Sequence, residues 1–213
     1  MSDEHAIRVV TISASYGAGG SIVGPQVAER LGLPFLDRAI PNRVAESMSV
    51  PVEDALSRDE RVQSRFWAGL ALAGGVGLPG EMTGPLLVAE PDARFQERTE
   101  AVIRQAADAT GGVILGRAGA LVLGARTDTL RVRLDGPKDR RLAQAVLLGD
   151  IDQVTAQQRQ RDLDRAWAAY WRRFYRADVA DVAHYDVVFD ATALTLDVCV
   201  ELIVAAAHAG VQR

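Results

Sequence analysis

The chain has 213 residues, 48% hydrophobic and 24% charged, which excludes a disordered, collagenous or disulfide-stapled protein and allows one sizeable core. A net charge of -4 argues against general nucleic-acid binding, and one cysteine, Cys199, excludes an internal disulfide. No apolar run approaches 18 residues and the opening MSDEHAIRVV carries early acids, so neither a membrane span nor a leader is expected, and the cytoplasm is the expected location.

Ile7–Ser13 reads as a β-branched strand, followed by the small-residue turn Ala14–Ser21. Val23, Val27 and Leu31 then recur on one helical face, and Gly32 and Pro34 supply the stop. Pro25 is expected to fall early enough in that helix to be tolerated, because first-turn N–H groups lack partners. Pro34-Phe35-Leu36 reads as a short strand and 35–66 as polar and largely helical, broken at Pro41 and Pro51. Segment 68–91 is rich in Gly, Ala and Pro without periodicity, the pattern of a loop or flap.

A helix over 92–109 is predicted next, then a short buried strand at Val113–Leu115 leading directly into Gly116-Arg117. Ala118–Leu123 reads as helix and Thr129–Leu134 as strand, closed by Asp135-Gly136-Pro137. Residues 138–148 and 151–176 are helical and arginine-rich, Val187–Asp190 is a last strand and 195–209 a last amphipathic helix. Strands alternating with helices predict a parallel sheet covered on both faces, in a single domain spanning 1–213.

The turn after the first strand leads into a helix N-terminus, where outward N–H groups and the helix dipole favour an anion. Against the phosphate-loop pattern G-x-x-x-x-G-K-[ST], the chain reads Ala14-x-x-x-x-Gly19-Gly20-Ser21. The second glycine and the hydroxyl survive, whereas Ala14 replaces the first glycine and Gly20 the lysine. Gly17-x-Gly19 does not complete G-x-G-x-x-G either, because Ile22 follows. By pattern alone, a phosphate cradle and an ordinary tight turn both remain open.

The segment from Thr11 through Gly24, followed by Ala28-Glu-Arg-Leu-Gly-Leu-Pro-Phe-Leu-Asp37-Arg38, resembles the opening of the cytidylate kinase-like family, I-S-R-x-[FY]-G-S-G-G-x-x-[IV]-G then L-A-E-x-L-G-x-P-[FY]-x-D. Val113-Ile-Leu-Gly-Arg117-Ala118-Gly is similar to the family's V-I-x-G-R-G-[AG], with Ala118 where true cytidylate kinases carry Asp. Leu130 to Arg141 is similar to its next strand and following arginine. Asp164-Arg165 to Tyr175, then His184-Tyr185-Asp186 to Thr192, resemble its lid helix and last strand. The resemblance runs in order over nearly the whole chain. It implies a three-layer P-loop kinase-like α/β fold, with a parallel sheet flanked by helices, an acceptor-binding insert near 40–91 and a helical lid near 150–180. It further implies ATP with Mg2+, and a small-molecule acceptor such as a nucleoside monophosphate. The family lacks the loop lysine, as this chain does.

Residues 131–176 carry 11 basic and 6 acidic side chains, against 13 basic and 22 acidic in the remainder. A basic segment in an acidic chain suits a polyphosphate through bidentate arginine contacts, the alternative for each arginine being a salt-bridged helix surface. Arg117 emerges at the carboxyl end of a central strand, where open α/β sheets bind ligands, or else pairs structurally with a carboxylate. Catalytic charge is assigned to Arg117, Arg165 and Arg172, and phosphate contacts to Tyr16, Gly17, Ala18, Gly19, Gly20, Ser21, Arg140 and Arg161. The alternative for Arg172 with Arg173 is a solvent-facing pair. Asp37 and Arg38 are placed at the acceptor, Asp37 having a helix N-cap as its alternative, and Ser21 is assigned to magnesium or an N-cap.

Of 24 basic residues only Lys138 is lysine. Drift toward arginine would leave Arg at the loop position, so Gly20 there is a feature of the site. Two alternatives to a nucleotide-dependent kinase stay open: a nucleotide-binding module without turnover, since Ala14, Gly20 and Ala118 replace functional residues, and a kinase for a non-nucleotide acceptor, since 68–91 lacks the polar and basic residues expected of a cytidylate pocket. The oligomeric state is open, a homodimer being one option. His5, His184 and His208 show no metal spacing, Cys199 falls on an apolar helix stripe, and Trp67, Trp167 and Trp171 read as packing.

Overall fold

The computed structural model describes residues 6–36 and 92–211. Asp37, Arg38, His5, Trp67, the insert near 40–91 and the helical reading of 37–66 lie outside the described residues.

Strands β1 (Val9–Ala14), β2 (Phe35–Leu36), β3 (Gly112–Leu115), β4 (Thr129–Asp135) and β5 (Val187–Asp190) form one sheet in the order β2-β3-β1-β4-β5. Every pairing is parallel, with Val9 opposite Gly112 and Thr129, and Val132 opposite Val187. Helices α1 (Gly20–Leu31), α2 (Asp92–Ala109), α3 (Gly119–Val122), α4 (Lys138–Gly149), α5 (Gln153–Tyr175) and α6 (Leu196–Ala209) connect and cover the strands. The predicted elements within the described residues all form, with ends shifted by a residue or two.

The period of two along each strand sorts the side chains onto two faces. Val10, Ile12, Ala14, Val113, Leu115, Leu130, Val132 and Leu134 face one way, against Val23 and Val27 of α1 and Cys199, Val200 and Ile203 of α6. On the other face Val9, Ile114 and Leu36 pack on Ile103, Ala106 and Ala107 of α2. Beyond them the aromatic stripe of α5, Trp167, Tyr170 and Trp171, packs with Ala118, Ala120 and Tyr185. This is the parallel sheet covered on both faces that the alternation predicts, in the three-layer P-loop kinase-like α/β arrangement that the resemblance implies. Trp171 is 1% exposed, so α5 is docked through a full apolar stripe.

Pro25 departs from expectation. Helix α1 begins at Gly20, so Pro25 lies in the second turn and removes a hydrogen bond that the helix interior normally makes. Ser21 also differs from its N-cap alternative. Gly19 is the N-cap, with φ 76°, and Ser21 sits inside the first turn with its side chain exposed.

Candidate functional site

The carboxyl ends of β1, β3 and β4 converge on the glycine-rich loop, where open parallel sheets receive ligands. Gly17 and Gly19 both take the left-handed conformation, with φ 79° and 76°. A Cβ on Gly17 would lie 2.1 Å from the Arg141 carbonyl oxygen, and one on Gly19 would lie 2.5 Å from Leu196 Cδ2. The loop is therefore pressed between α4 and the start of α6, and only glycine fits at either position.

Among its N–H groups, that of Ala18 donates to the Ser15 carbonyl at 3.0 Å, and Ala18 is buried. Those of Gly17, Gly19, Gly20 and Ser21 have no acceptor among the described residues, and no side chain caps α1. The loop and helix start thus present four N–H donors at the positive end of the helix dipole. Of the six loop residues assigned to phosphate, Tyr16 and Ala18 have amides that are already engaged, that of Tyr16 by the Asp164 carboxylate.

Side chains from α4 and α5 hold the loop from behind. Arg141, with its side chain 4% exposed, donates from Nη1 to the Tyr16 carbonyl at 2.6 Å and from Nε to the Gly136 carbonyl at 3.0 Å. Its Nη2 pairs with Asp164 Oδ2 at 2.9 Å, while Asp164 Oδ1 accepts the Tyr16 N–H at 3.1 Å. Gln144 Nε2 donates to the Gly17 carbonyl at 2.9 Å.

Beneath the loop lies a second buried arginine. Arg133 is 6% exposed; it donates to Ser13 Oγ at 3.3 Å, Ser15 Oγ at 2.8 Å and Asp135 Oδ2 at 2.8 Å, and lies 5.8 Å from the Tyr185 ring centre. Burial alone would push the Asp135 carboxyl up, but Arg133 and the Ser15 hydroxyl hold it below the usual range. Arg131 forks onto Asp186, with Nη2 at 2.7 Å from Oδ1. Arg140 pairs with Asp190 at 3.0 Å. The arginines of β4 and the start of α4 are thus engaged by carboxylates.

The α5 arginines are placed differently. At 3.6 residues per turn, Arg161, Arg165 and Arg172 fall within about 40° of one another around the helix axis. All three are exposed on one stripe beside Asp164. Arg161 donates to Gln158 Oε1 at 2.6 Å, and Arg165 and Arg172 have no carboxylate partner among the described residues. The stripe is the exposed cationic surface next to the loop's tether.

Arg117 lies in an unusual turn. Gly116, Arg117 and Ala118 have φ 77°, 55° and 52°, three successive left-handed residues at the carboxyl end of β3. L-residues rarely do this, and each non-glycine member stores strain. Arg117 is half-buried, and its charge opposes the effect of burial on Tyr170, whose phenol is nonetheless pushed above its ordinary value.

A groove of about 380 Å3 adjoins the loop, lined by Arg140, Ala143, Gln144, Leu147, Leu148, Thr192 and Leu196. Leu147 is 82% exposed, and Leu196 and Gln144 belong to both groove and loop contacts. Among the described residues there is no cluster of three or more His, Cys, Asp or Glu that could hold a metal, and no helix long and apolar enough to cross a membrane.

The sequence reading named the loop, Arg117 and the α5 arginines but not Arg133, Asp135, Arg141 as a loop tether, or the groove. Alternation in Arg131-Val132-Arg133-Leu134-Asp135 was the available signal, since it puts three charges on one face of a buried strand.

The model of the cytidylate kinase-like family matches residues 9–193. No curated protein matches the chain. An uncharacterized protein from Eubacterium ventriosum is similar in structure, with a TM-score of 0.62 and 16% identity over 92% of this chain and 96% of that one. A gluconokinase from Sinorhizobium meliloti has a TM-score of 0.45 and 18% identity over 95% of this chain and 90% of its own. A shikimate kinase from Acinetobacter baumannii, in complex with shikimate, has a TM-score of 0.43 and 14% identity over 94% and 95%.

Proposed function

Because the chain belongs to the cytidylate kinase-like family, we propose that it is a nucleotide-dependent phosphotransferase acting on a small acceptor. The observation that carries the reading is the set of four N–H donors at Gly17, Gly19, Gly20 and Ser21, presented at the start of α1 and flanked by a groove. These donors fit the terminal phosphates of ATP, and the apolar groove walls Ala143, Leu147, Leu148 and Leu196 fit the faces of its base.

In this reading Tyr16 and Ala18 shape the loop through their peptides, while the N–H groups of Gly17, Gly19, Gly20 and Ser21 bind phosphate oxygens. Arg165 and Arg172 supply charge to the migrating phosphoryl in place of the loop lysine, and Arg117 supplies it from the sheet side. Arg161 extends the same stripe. Arg140, though paired with Asp190, borders the groove and can share its charge with the donor. Magnesium fits as an ion carried by the nucleotide and touched by the exposed Ser21 hydroxyl, where it would neutralise phosphate charge. Asp37 and Arg38 are assigned to the acceptor, which can be a nucleoside monophosphate. Cytoplasmic residence and binding to neither nucleic acid nor membrane belong to the same proposal.

The test is incubation with Mg-ATP and a panel of nucleoside monophosphates and small hydroxylated acids, following ADP. Acceptor-dependent ADP supports the kinase. ATP binding without ADP for any acceptor would favour a nucleotide-binding module, and binding of no nucleotide would overturn the proposal.

A further inference from the structure

We propose that Asp164 is the positioning residue of the glycine-rich loop, holding the Tyr16 peptide groups so that the following N–H donors face an anion. The inference rests on the nucleotide reading above for the identity of the anion, but the tether itself is geometric.

A trans peptide points its C=O and the next N–H in opposite directions. Arg141 draws the Tyr16 carbonyl toward α4, so the Gly17 N–H is turned away from α4. Asp164 takes the preceding N–H, that of Tyr16, which turns the Ser15 carbonyl the other way, where it accepts the Ala18 N–H. Gln144 fixes the next carbonyl, that of Gly17. Three successive peptides, 15–16, 16–17 and 17–18, are therefore each held by a side chain of α4 or α5, beside the loop's own bond from Ala18 to Ser15.

The tether is a closed circuit. Asp164 bonds both the Tyr16 N–H and Arg141, and Arg141 bonds the Tyr16 carbonyl. Removing the carboxylate charge leaves one oxygen where two served the Tyr16 N–H and Arg141, so the hold on residue 16 weakens and a buried guanidinium is left short of an acceptor. Asp164 also adjoins Arg161 and Arg165 on α5, so the circuit that sets the loop sits on the helix carrying the exposed arginine stripe. Loop order and the placement of that stripe are then one equilibrium, and a ligand that stabilises one stabilises the other.

Three chains answer the question: wild type, Asp164→Asn, which keeps the shape and removes the charge, and Asp164→Glu, which keeps the charge on a longer arm. Amide exchange of Tyr16 and Ala18, the two loop amides with acceptors, and the dissociation constant of Mg-ATP are measured for each. Asp164→Asn is expected to speed exchange in the loop while β1 and α6 keep their protection, and to weaken Mg-ATP by about tenfold, the size of a charge-assisted hydrogen bond. Asp164→Glu is expected to recover part of both effects. Unchanged loop exchange in Asp164→Asn would overturn the inference, as would a uniform loss of protection across the sheet, which marks a merely structural role. Should the wild type bind no Mg-ATP, the nucleotide reading fails, while loop exchange still decides whether Asp164 is the tether.

Discussion

A Cβ on Gly20 would lie 2.5 Å from the Cβ of Ala14 and 3.2 Å from Leu115 Cδ1. In the lysine-bearing pattern these two positions are Gly and Lys; here they are Ala and Gly. The space between β1 and the first turn of α1 admits a side chain from one position only. The missing lysine therefore has a packing cause as well as a chemical consequence, and the two departures from the pattern are halves of one exchange.

Lysine cannot be restored alone. Gly20→Lys is expected to cost about 1–3 kcal/mol through overpacking, whereas Ala14→Gly with Gly20→Lys should recover most of that loss. Urea unfolding of both single variants and the double variant gives the coupling. An additive cycle would refute the steric link.

At Arg117 the backbone and the side chain can be separated. Arg117→Ala and Arg117→Gly both remove the guanidinium, but only glycine relieves the left-handed strain, and the glycine variant should be the more stable by about 1 kcal/mol. Both should weaken Mg-ATP-dependent turnover alike. Equal melting temperatures for the two variants would mean that the turn carries no strain.

The groove is tested at its most exposed wall. Leu147→Asp should leave the melting temperature nearly unchanged, because the side chain is 82% exposed. It should weaken Mg-ATP by about tenfold or more, the worth of one leucine's burial against a base. Unaltered affinity, measured by calorimetry, would remove the groove from the donor site.

Stability should fall at both ends of the pH scale. Burial alone would raise the Asp135 carboxyl, but Arg133 holds it below its ordinary 3.8, and Arg126 does the same for Asp128. Carboxyls held lower in the folded chain stabilise it above the ordinary value, and that contribution is lost as pH falls through the folded values. Burial raises the Tyr170, Tyr175 and Tyr185 phenols above their ordinary 10.0, so the unfolded chain ionises first and stability falls as pH climbs past that point. Melting temperatures should hold level from about pH 5 to 9 and decline on either side, with Asp135→Asn flattening the acid limb. A chain that grows more stable below its carboxylate range would contradict these assignments.

The fold was legible because its signals are local. The valines of β1, the spacing of Val23 and Val27 in α1 and the Trp167–Trp171 stripe of α5 each declare their element without reference to a distant residue. The glycine-rich turn was legible as a candidate for the same reason. Charge pairing was not. Arg133 meets Asp135 two residues away, but Arg131 meets Asp186, Arg140 meets Asp190 and Arg141 meets Asp164, partners that only the finished fold brings within reach. A tally of charge over 131–176 therefore could not separate the arginines engaged by carboxylates in β4 and α4 from the exposed stripe on α5. Pro25 falls in the second turn because the helix starts at Gly20 behind a glycine N-cap, which has no side chain to mark the start.

The sheet is uneven from margin to middle. Among the described residues β2 contributes two residues at one border, β5 contributes four at the other with Val188 open to solvent, and β1 has a neighbour on each side. Heat or tension applied to such a sheet frays its borders first and its central β1–β4 seam last. The loop from Ser15 to Gly19 springs from that seam. Its footing is then the last part of the molecule to melt, so a chain already frayed at β2 or β5 should still grip a phosphate.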